Sequence, residues 1–282
     1  MDAYAKINLF LRITGKRPDG YHELETIFWP LPWLYDTLEI SLSPAGGIIM
    51  ECEASGVPLD ERNLCWKAAV AFMKAAGVSL SPHIKLIKRI PVAAGLGGGS
   101  SDAAVTLLEL NRLTGSPVSR QQLHGIATEL GADVPFFLDS VPALATGIGE
   151  ILRPLETQGK CDIFLANPQF PVPASWAYQH WQEDFADSGF ACDDMLAALK
   201  AGDWAKVFAQ IRNDLEYCIF RKFQILGIVR ERMEELGIAN VHISGSGPTL
   251  FGASTPSLSA EAKRILETEF SGFLKCYCES VQ

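Results

Sequence analysis

The chain holds 282 residues, 48% of them hydrophobic, enough apolar material for one large or two ordinary buried cores. Its formal net charge of -9 excludes a sequence-independent grip on nucleic acid or on an anionic membrane surface, because both need basic surface. Seven cysteines without a CxxC pair, and five histidines never spaced i, i+4 beside a glutamate, give neither a disulfide framework nor a built-in structural metal site.

Residues 3 to 13, AYAKINLFLRI, alternate as a strand, with Lys6, Asn8 and Phe10 on one face and Ile7, Leu9 and Leu11 on the other. The start MDAYAKINLF carries an acid at position 2 and a lysine inside its apolar run, unlike a signal peptide, and no apolar run has the length of a membrane span. A cytoplasmic protein is therefore expected. A Pro-Asp-Gly turn follows at 18 to 20, then strand over residues 25 to 42, ending near Ser43-Pro44.

LCWKAAVAFMKAAG has helical apolar spacing, with Gly77 where a C-cap belongs. HIKLIKRI (83 to 90) alternates as a strand, and Pro91 then introduces the glycine-rich AAGLGGGSSDAA. The next helix is predicted to start at Ser100 or Ser101 and to stop at Thr114-Gly115. SRQQ (119 to 122) has capping-box spacing and opens a helix ending at Gly131, while ADVPFFL reads as a loop leading into a buried strand. Polar RPLETQGK marks a domain junction. Beyond it the pattern is strand (CDIFLANP), a Pro-rich loop, helices through residue 237, strand (ANVHI), the turn SGSGP, strand (TLFGAS), helix (257 to 269) and strand (GFLKCYC), an α+β sandwich.

Strand, glycine loop and helix in that order make an anion site: glycines let the backbone approach a ligand, and a helix start offers unpaired N–H groups and a positive dipole end. An acidic protein holds a triphosphate this way, with backbone amides rather than a basic patch. The loop is not a P-loop, because no lysine follows the last glycine, and not a dinucleotide fingerprint, because counting from Gly95 puts Ser100 where the third glycine belongs.

Pro91-Val92-Ala93-Ala94-Gly95-Leu96-Gly97-Gly98-Gly99-Ser100-Ser101 resembles the PxxxGLGSSAA phosphate loop of the GHMP kinases. AYAKINLFL is similar to the first motif of that family and SGSGPTLF (244 to 251) to its third, so the resemblance spans nearly the whole chain. AKINLFL, GYHELETIF, GADVPFF and ATGIGE are similar to the branch that phosphorylates the 2-hydroxyl of a cytidine diphosphate derivative of methylerythritol in the non-mevalonate route to isoprenoids. Tyr4 departs from that pattern, in which proline precedes Ala-Lys.

The resemblance implies a two-domain α+β GHMP kinase fold. An N-terminal ribosomal-protein-S5-like domain (1 to 152) would carry the ATP loop and catalytic residues, and a C-terminal ferredoxin-like α/β sandwich (153 to 282) would close the substrate cleft. It implies ATP with Mg2+, a small-molecule substrate, and no nucleic acid or membrane partner; monomer and homodimer both stay open. Asp133 is implied as base and Lys6 as its partner, since a lysine in an apolar strand is costly unless paired. Residues 91 to 101 would hold the phosphates, with Ser100 or Ser101 adding a hydroxyl to phosphate or Mg2+. Asn63 either contacts the adenine side or caps the following helix. Tyr21 and His22 are implied at the cytidine, with Phe28 and Tyr178 as further rings, Phe28 having plain core packing as its alternative. Asn8 would orient substrate or a catalytic group, or merely be a strand-edge polar residue. Ser244 and Gly245 would shape the substrate end. Homoserine kinase, or another GHMP alcohol kinase, is the alternative activity.

Overall fold

The computed structural model describes residues 1–43, 46–183 and 191–279. They form two compact units, one built from Met1–Ala5, Pro30–Val92 and Gly97–Val141, the other from Lys6–Trp29, Ala93–Leu96 and the described residues from Pro142 onward. Two long strands, β1 (Asp2–Lys16) and β2 (His22–Ser43), contribute residues to both. Pro44, where the sequence suggests that β2 ends, lies outside the described residues.

The first unit continues with β3 (Ile49–Cys52), α1 (Leu64–Ala76), β4 (Ser81–Ile87), α2 (Gly98–Leu113), α3 (Arg120–Leu130) and α4 (Val134–Asp139). β4 pairs antiparallel with β2, Ile84 opposite Ile40, and parallel with β3, Ile84 opposite Met50. α1 packs on α2 and α2 on α4, burying Phe72, Leu107, Leu110 and Phe136. The caps of α1 and α3 fall at residues that the sequence offers for them. Asn63 Oδ1 accepts the Cys65 N–H at 2.8 Å, Gly77 closes α1 in the left-handed region (φ 65°), and Ser119 with Gln122 forms a capping box that opens α3.

Two expectations are corrected here. α2 starts at Gly98, with Gly97 as its N-cap at φ 72° and no side-chain cap, so the glycines form the helix start and Ser100 and Ser101 lie inside it. ADVPFFL forms the short helix α4 and not a strand, because Pro135 sits in its first turn, where a missing N–H costs nothing.

The second unit adds β5 (Ala143–Gly147), β6 (Ile151–Pro154), β7 (Asp162–Pro168), α5 (Ala174–His180), α6 (Cys192–Ala201), α7 (Trp204–Ala209), β8 (Arg212–Asn213), α8 (Glu216–Lys222), α9 (Ile225–Glu235), β9 (Ala239–Ile243), β10 (Leu250–Ser254), α10 (Pro256–Glu269) and β11 (Leu274–Tyr277). The position expected for the domain junction, 152/153, falls within β6. Strands in the order β11-β7-β10-β9 form an antiparallel sheet, with Phe251 opposite Leu165 and Leu250 opposite Ile243. Its core takes Phe164, Val241, Ile243 and Leu250 from the strands and Leu226, Val229, Met233 and Leu266 from α9 and α10. Within the same unit β5 pairs with β2, Leu144 opposite Ile27, and β8 pairs parallel with β1, Arg212 opposite Phe10. Asp214 secures that edge, accepting from Arg212 Nε at 2.7 Å and from the Ile13 N–H at 2.9 Å.

All seven cysteines are free thiols, and no helix among the described residues is long and apolar enough to cross a membrane. Among the described residues no group of three or more His, Cys, Asp or Glu side chains is arranged to hold a metal ion.

Candidate active site

In the second unit the alternation of β1 buries both faces. Ile7 and Leu9 are fully buried, and so, nearly, are Lys6 and Asn8, so Asn8 is not a solvent-exposed polar residue. A buried ammonium needs compensation. Lys6 Nζ donates to Asn8 Oδ1 at 2.7 Å and stands 4.8 Å from the centre of the Phe28 ring, so Phe28 is at once core residue and cation–π partner. Asn8 Nδ2 donates to Thr26 Oγ1 at 2.8 Å, and that hydroxyl donates to the Phe10 carbonyl at 2.6 Å.

The Lys6 N–H donates to the Leu96 carbonyl at 2.9 Å, attaching the middle of the glycine loop to β1. The SGSGP turn holds the same segment: Ser244 Oγ donates to the Gly95 carbonyl at 2.9 Å. Gly95 lies at φ +76°, and a Cβ there would stand 2.1 Å from the Ser244 carbonyl oxygen. Only glycine fits. Gly245, at φ +55°, backs Asn8: a Cβ on it would lie 3.1 Å from Asn8 Oδ1. Ser244 and Gly245 thus shape the loop and the Lys6 environment through packing.

In the first unit, Pro91 and Val92 lead into the loop and Gly97, Gly98, Gly99, Ser100 and Ser101 turn it into α2, whose first N–H groups carry no side-chain cap. Beneath this turn lies a feature that the sequence did not disclose. A Cβ on Gly98 would stand 3.2 Å from Lys88 Nζ, and Lys88 is bonded to two buried carboxylates, Asp36 and, at 2.8 Å, Asp102. Asp36 also accepts the N–H groups of Arg89 and Ile90. Burial, only partly offset by Lys88, pushes the Asp102 carboxyl up to about 7. Ser101 Oγ is buried without a hydrogen-bond partner among the described residues, the kind of orphan group that a bound anion or cation satisfies.

Asp133 belongs to this unit as well. It is half-buried at the head of α4, next to buried Val134, Phe136 and Phe137, and makes no capping bond with its side chain. Asn63 uses its side chain locally, Oδ1 as the cap of α1 and Nδ2 on the Pro58 carbonyl at 2.7 Å.

His22 lies in the second unit in a ring cluster. The Tyr178 ring stacks on it at 5.6 Å and 24°, and Trp181 meets it edge-on at 5.6 Å. Tyr178 is carried by α5 and not by the preceding loop. Burial, and secondarily the Lys16 charge, lower the His22 pKa, keeping the imidazole neutral with one donor and one acceptor. Tyr21 beside it is 61% exposed. Trp181 escaped the sequence reading; its signal is the run of aromatics at 176, 178 and 181.

Models of the GHMP kinases N terminal domain and of the GHMP kinases C terminal region match residues 63–140 and 195–272. A protein of Chlorobium phaeobacteroides (strain BS1) named 4-diphosphocytidyl-2-C-methyl-D-erythritol kinase is 43% identical over 270 residues, 95% of this chain and 93% of that relative. A crystal structure of 4-(cytidine 5'-diphospho)-2C-methyl-D-erythritol kinase superposes with a TM-score of 0.82 at 35% identity, covering 99% of this chain and 97% of the other. Homoserine kinase from Cytophaga hutchinsonii superposes at 0.69 with 16% identity, covering 100% of this chain and 96% of that one, a likeness of fold alone. The chain belongs to the GHMP kinase family, within its 4-diphosphocytidyl-2-C-methyl-D-erythritol kinase branch.

Proposed function

We propose that this chain transfers the γ-phosphate of ATP to the 2-hydroxyl of 4-diphosphocytidyl-2-C-methyl-D-erythritol, giving the 2-phosphate and ADP, a step toward isoprenoid precursors outside the mevalonate route. The observation that carries this reading is the near full-length relationship to kinases of that name. The likeness to homoserine kinase extends only to the fold.

Phosphoryl transfer through a loose transition state needs alignment, charge neutralisation and one proton acceptor. Asp133 accepts the hydroxyl proton as the substrate oxygen bonds to the γ-phosphorus and the bond from that phosphorus to the bridging oxygen of ADP breaks. Its buried neighbours support the role by limiting water. Lys6 contributes positive charge toward the reacting hydroxyl, and the buried hydrogen bond to Asn8 fixes where that charge sits. The loop amides of residues 91 to 101 hold the ATP phosphates, with the uncapped start of α2 favouring negative charge. Mg2+ carried with the nucleotide would neutralise further phosphate charge, and the buried Ser101 hydroxyl fits a contact to it. Asn63 serves the nucleotide end as the cap of α1. Neutral His22 reads the polar edge of cytosine, while Tyr21, Tyr178 and Trp181 supply ring surface.

A coupled ADP-release assay with the cytidylyl substrate, homoserine and mevalonate tests the assignment. Turnover with the cytidylyl substrate alone is expected; its absence, or faster turnover of homoserine, overturns the reading.

A further inference from the structure

We infer that Thr26 is a positioning residue for the reaction, fixing the Lys6 ammonium through Asn8. The inference rests on the reading of Lys6 as a catalytic group. It follows from counting donors and acceptors along one chain of contacts. An ammonium has protons to give and no lone pair, so the Asn8 atom that meets Lys6 Nζ at 2.7 Å is the amide oxygen. The amide nitrogen then faces the other way, and the atom it meets at 2.8 Å, Thr26 Oγ1, accepts. A hydroxyl has a single proton. Thr26 donates its own to the Phe10 carbonyl at 2.6 Å, and a carbonyl can only accept. At each of these three bonds the donor and acceptor are fixed, so the polarity runs one way, from Lys6 to Phe10.

A flipped Asn8 amide would set NH2 against NH3+, and Thr26 is the residue that opposes the flip by offering a lone pair and no spare proton. Lys6, Asn8 and Thr26 are 4%, 3% and 1% exposed, so water does not compete for these bonds. On another side the backbone of Gly245 closes on the Asn8 oxygen, and Asn213 Nδ2 donates to the Gly245 carbonyl at 2.8 Å, fixing that wall in turn. Lys6 therefore inherits its position from a strand-to-strand hydrogen bond, since Asn8 lies in β1 and Thr26 in β2.

Thr26→Val keeps the shape of the side chain and removes the hydroxyl; Thr26→Ser keeps the hydroxyl and removes a methyl group. Steady-state kinetics with ATP and the cytidylyl substrate are to be measured on both, on Thr26→Ala, and on Lys6→Met alone and combined with Thr26→Val. The valine and alanine variants are expected to lose about tenfold or more in kcat with the ATP KM changed by less than about twofold, while the serine variant keeps most of kcat. Thr26→Val should add nothing once Lys6 is already methionine. A packing role gives the reverse order, valine active and serine impaired, and overturns the inference; so does equal impairment of all three variants. Should the valine variant fail to fold, the smaller alanine variant carries the same expectation. If Lys6→Met alone keeps wild-type kcat, the catalytic reading of Lys6 fails and this inference with it. If Lys6→Met is inactive and Thr26→Val is not, the inference alone fails.

Discussion

Gly95→Ala is the substitution whose cost can be worked most directly from the structure. The new Cβ would stand 2.1 Å from the Ser244 carbonyl oxygen, 3.0 Å from the Gly247 nitrogen and 3.1 Å from its carbonyl oxygen. All three are backbone atoms, so no side chain can swing aside, and the loop and turn must separate by roughly 1 Å to reach ordinary contact. That separation strains the hydrogen bond from Ser244 Oγ to the Gly95 carbonyl. Overpacking of this kind costs about 1–3 kcal/mol, and a non-glycine residue at φ +76° costs about 1–2 kcal/mol more. The sum is about 2–5 kcal/mol, which urea denaturation reads as a fall in midpoint of about 1 M or more. Gly272→Ala isolates the collision, because Gly272 has nearly the same backbone (φ +75°) and nothing within 4 Å. It should lose only the conformational part. In the same preparations the ATP KM of Gly95→Ala should rise about tenfold, since the displaced segment belongs to the proposed phosphate cradle. Equal midpoints for the two variants, or an unchanged ATP KM for Gly95→Ala, would refute the reasoning.

Asp133→Asn should abolish nearly all turnover while ATP still binds, as measured by single-turnover phosphate transfer beside nucleotide titration; wild-type activity would remove Asp133 as the base. Tyr21→Ala should raise the KM for the cytidylyl substrate with kcat little changed, because an exposed ring serves ground and transition states alike. Burial holds the His22 pKa below that of a free imidazole, so that same KM should rise at a lower pH than an ordinary histidine would give, as the imidazole loses its acceptor; a rise at higher pH than for a free imidazole would contradict this. The Asp102 carboxyl is raised from 3.8 to about 7 by burial, so its contribution to stability is fully present below the unfolded value and is lost as pH rises through the folded one. The unfolding free energy of the wild type minus that of Asp102→Asn should therefore decline from pH 4 to 7; a difference that grows over that range would contradict the sign.

What was legible in the sequence is what short-range chemistry decides. Asn63, Gly77, Ser119 and Gly131 stand where caps belong, and the helices begin and end at them. The start of α2 was misread because serine is the commoner N-cap, whereas the chain uses Gly97 in a conformation that serine rarely adopts. The alternation of Lys6, Asn8 and Phe10 is visible in the sequence, but nothing within a few residues shows that Thr26 and Phe28 meet Asn8 and Lys6. The Lys88 network was beyond local reading for the same reason: its carboxylates lie 52 positions earlier and 14 later in the chain.

The bond from Ser244 to the Gly95 carbonyl spans 149 positions. Its consequence is one of timing during synthesis. At ribosomal rates of about 5–20 residues per second, residues 93–96 wait roughly 7–30 s for the turn that shapes them. Through that interval the nascent loop lacks the turn that holds it, so, with this loop as the proposed phosphate cradle, competence to grip a nucleotide would arrive late, with β9 and β10, rather than when the loop itself emerges.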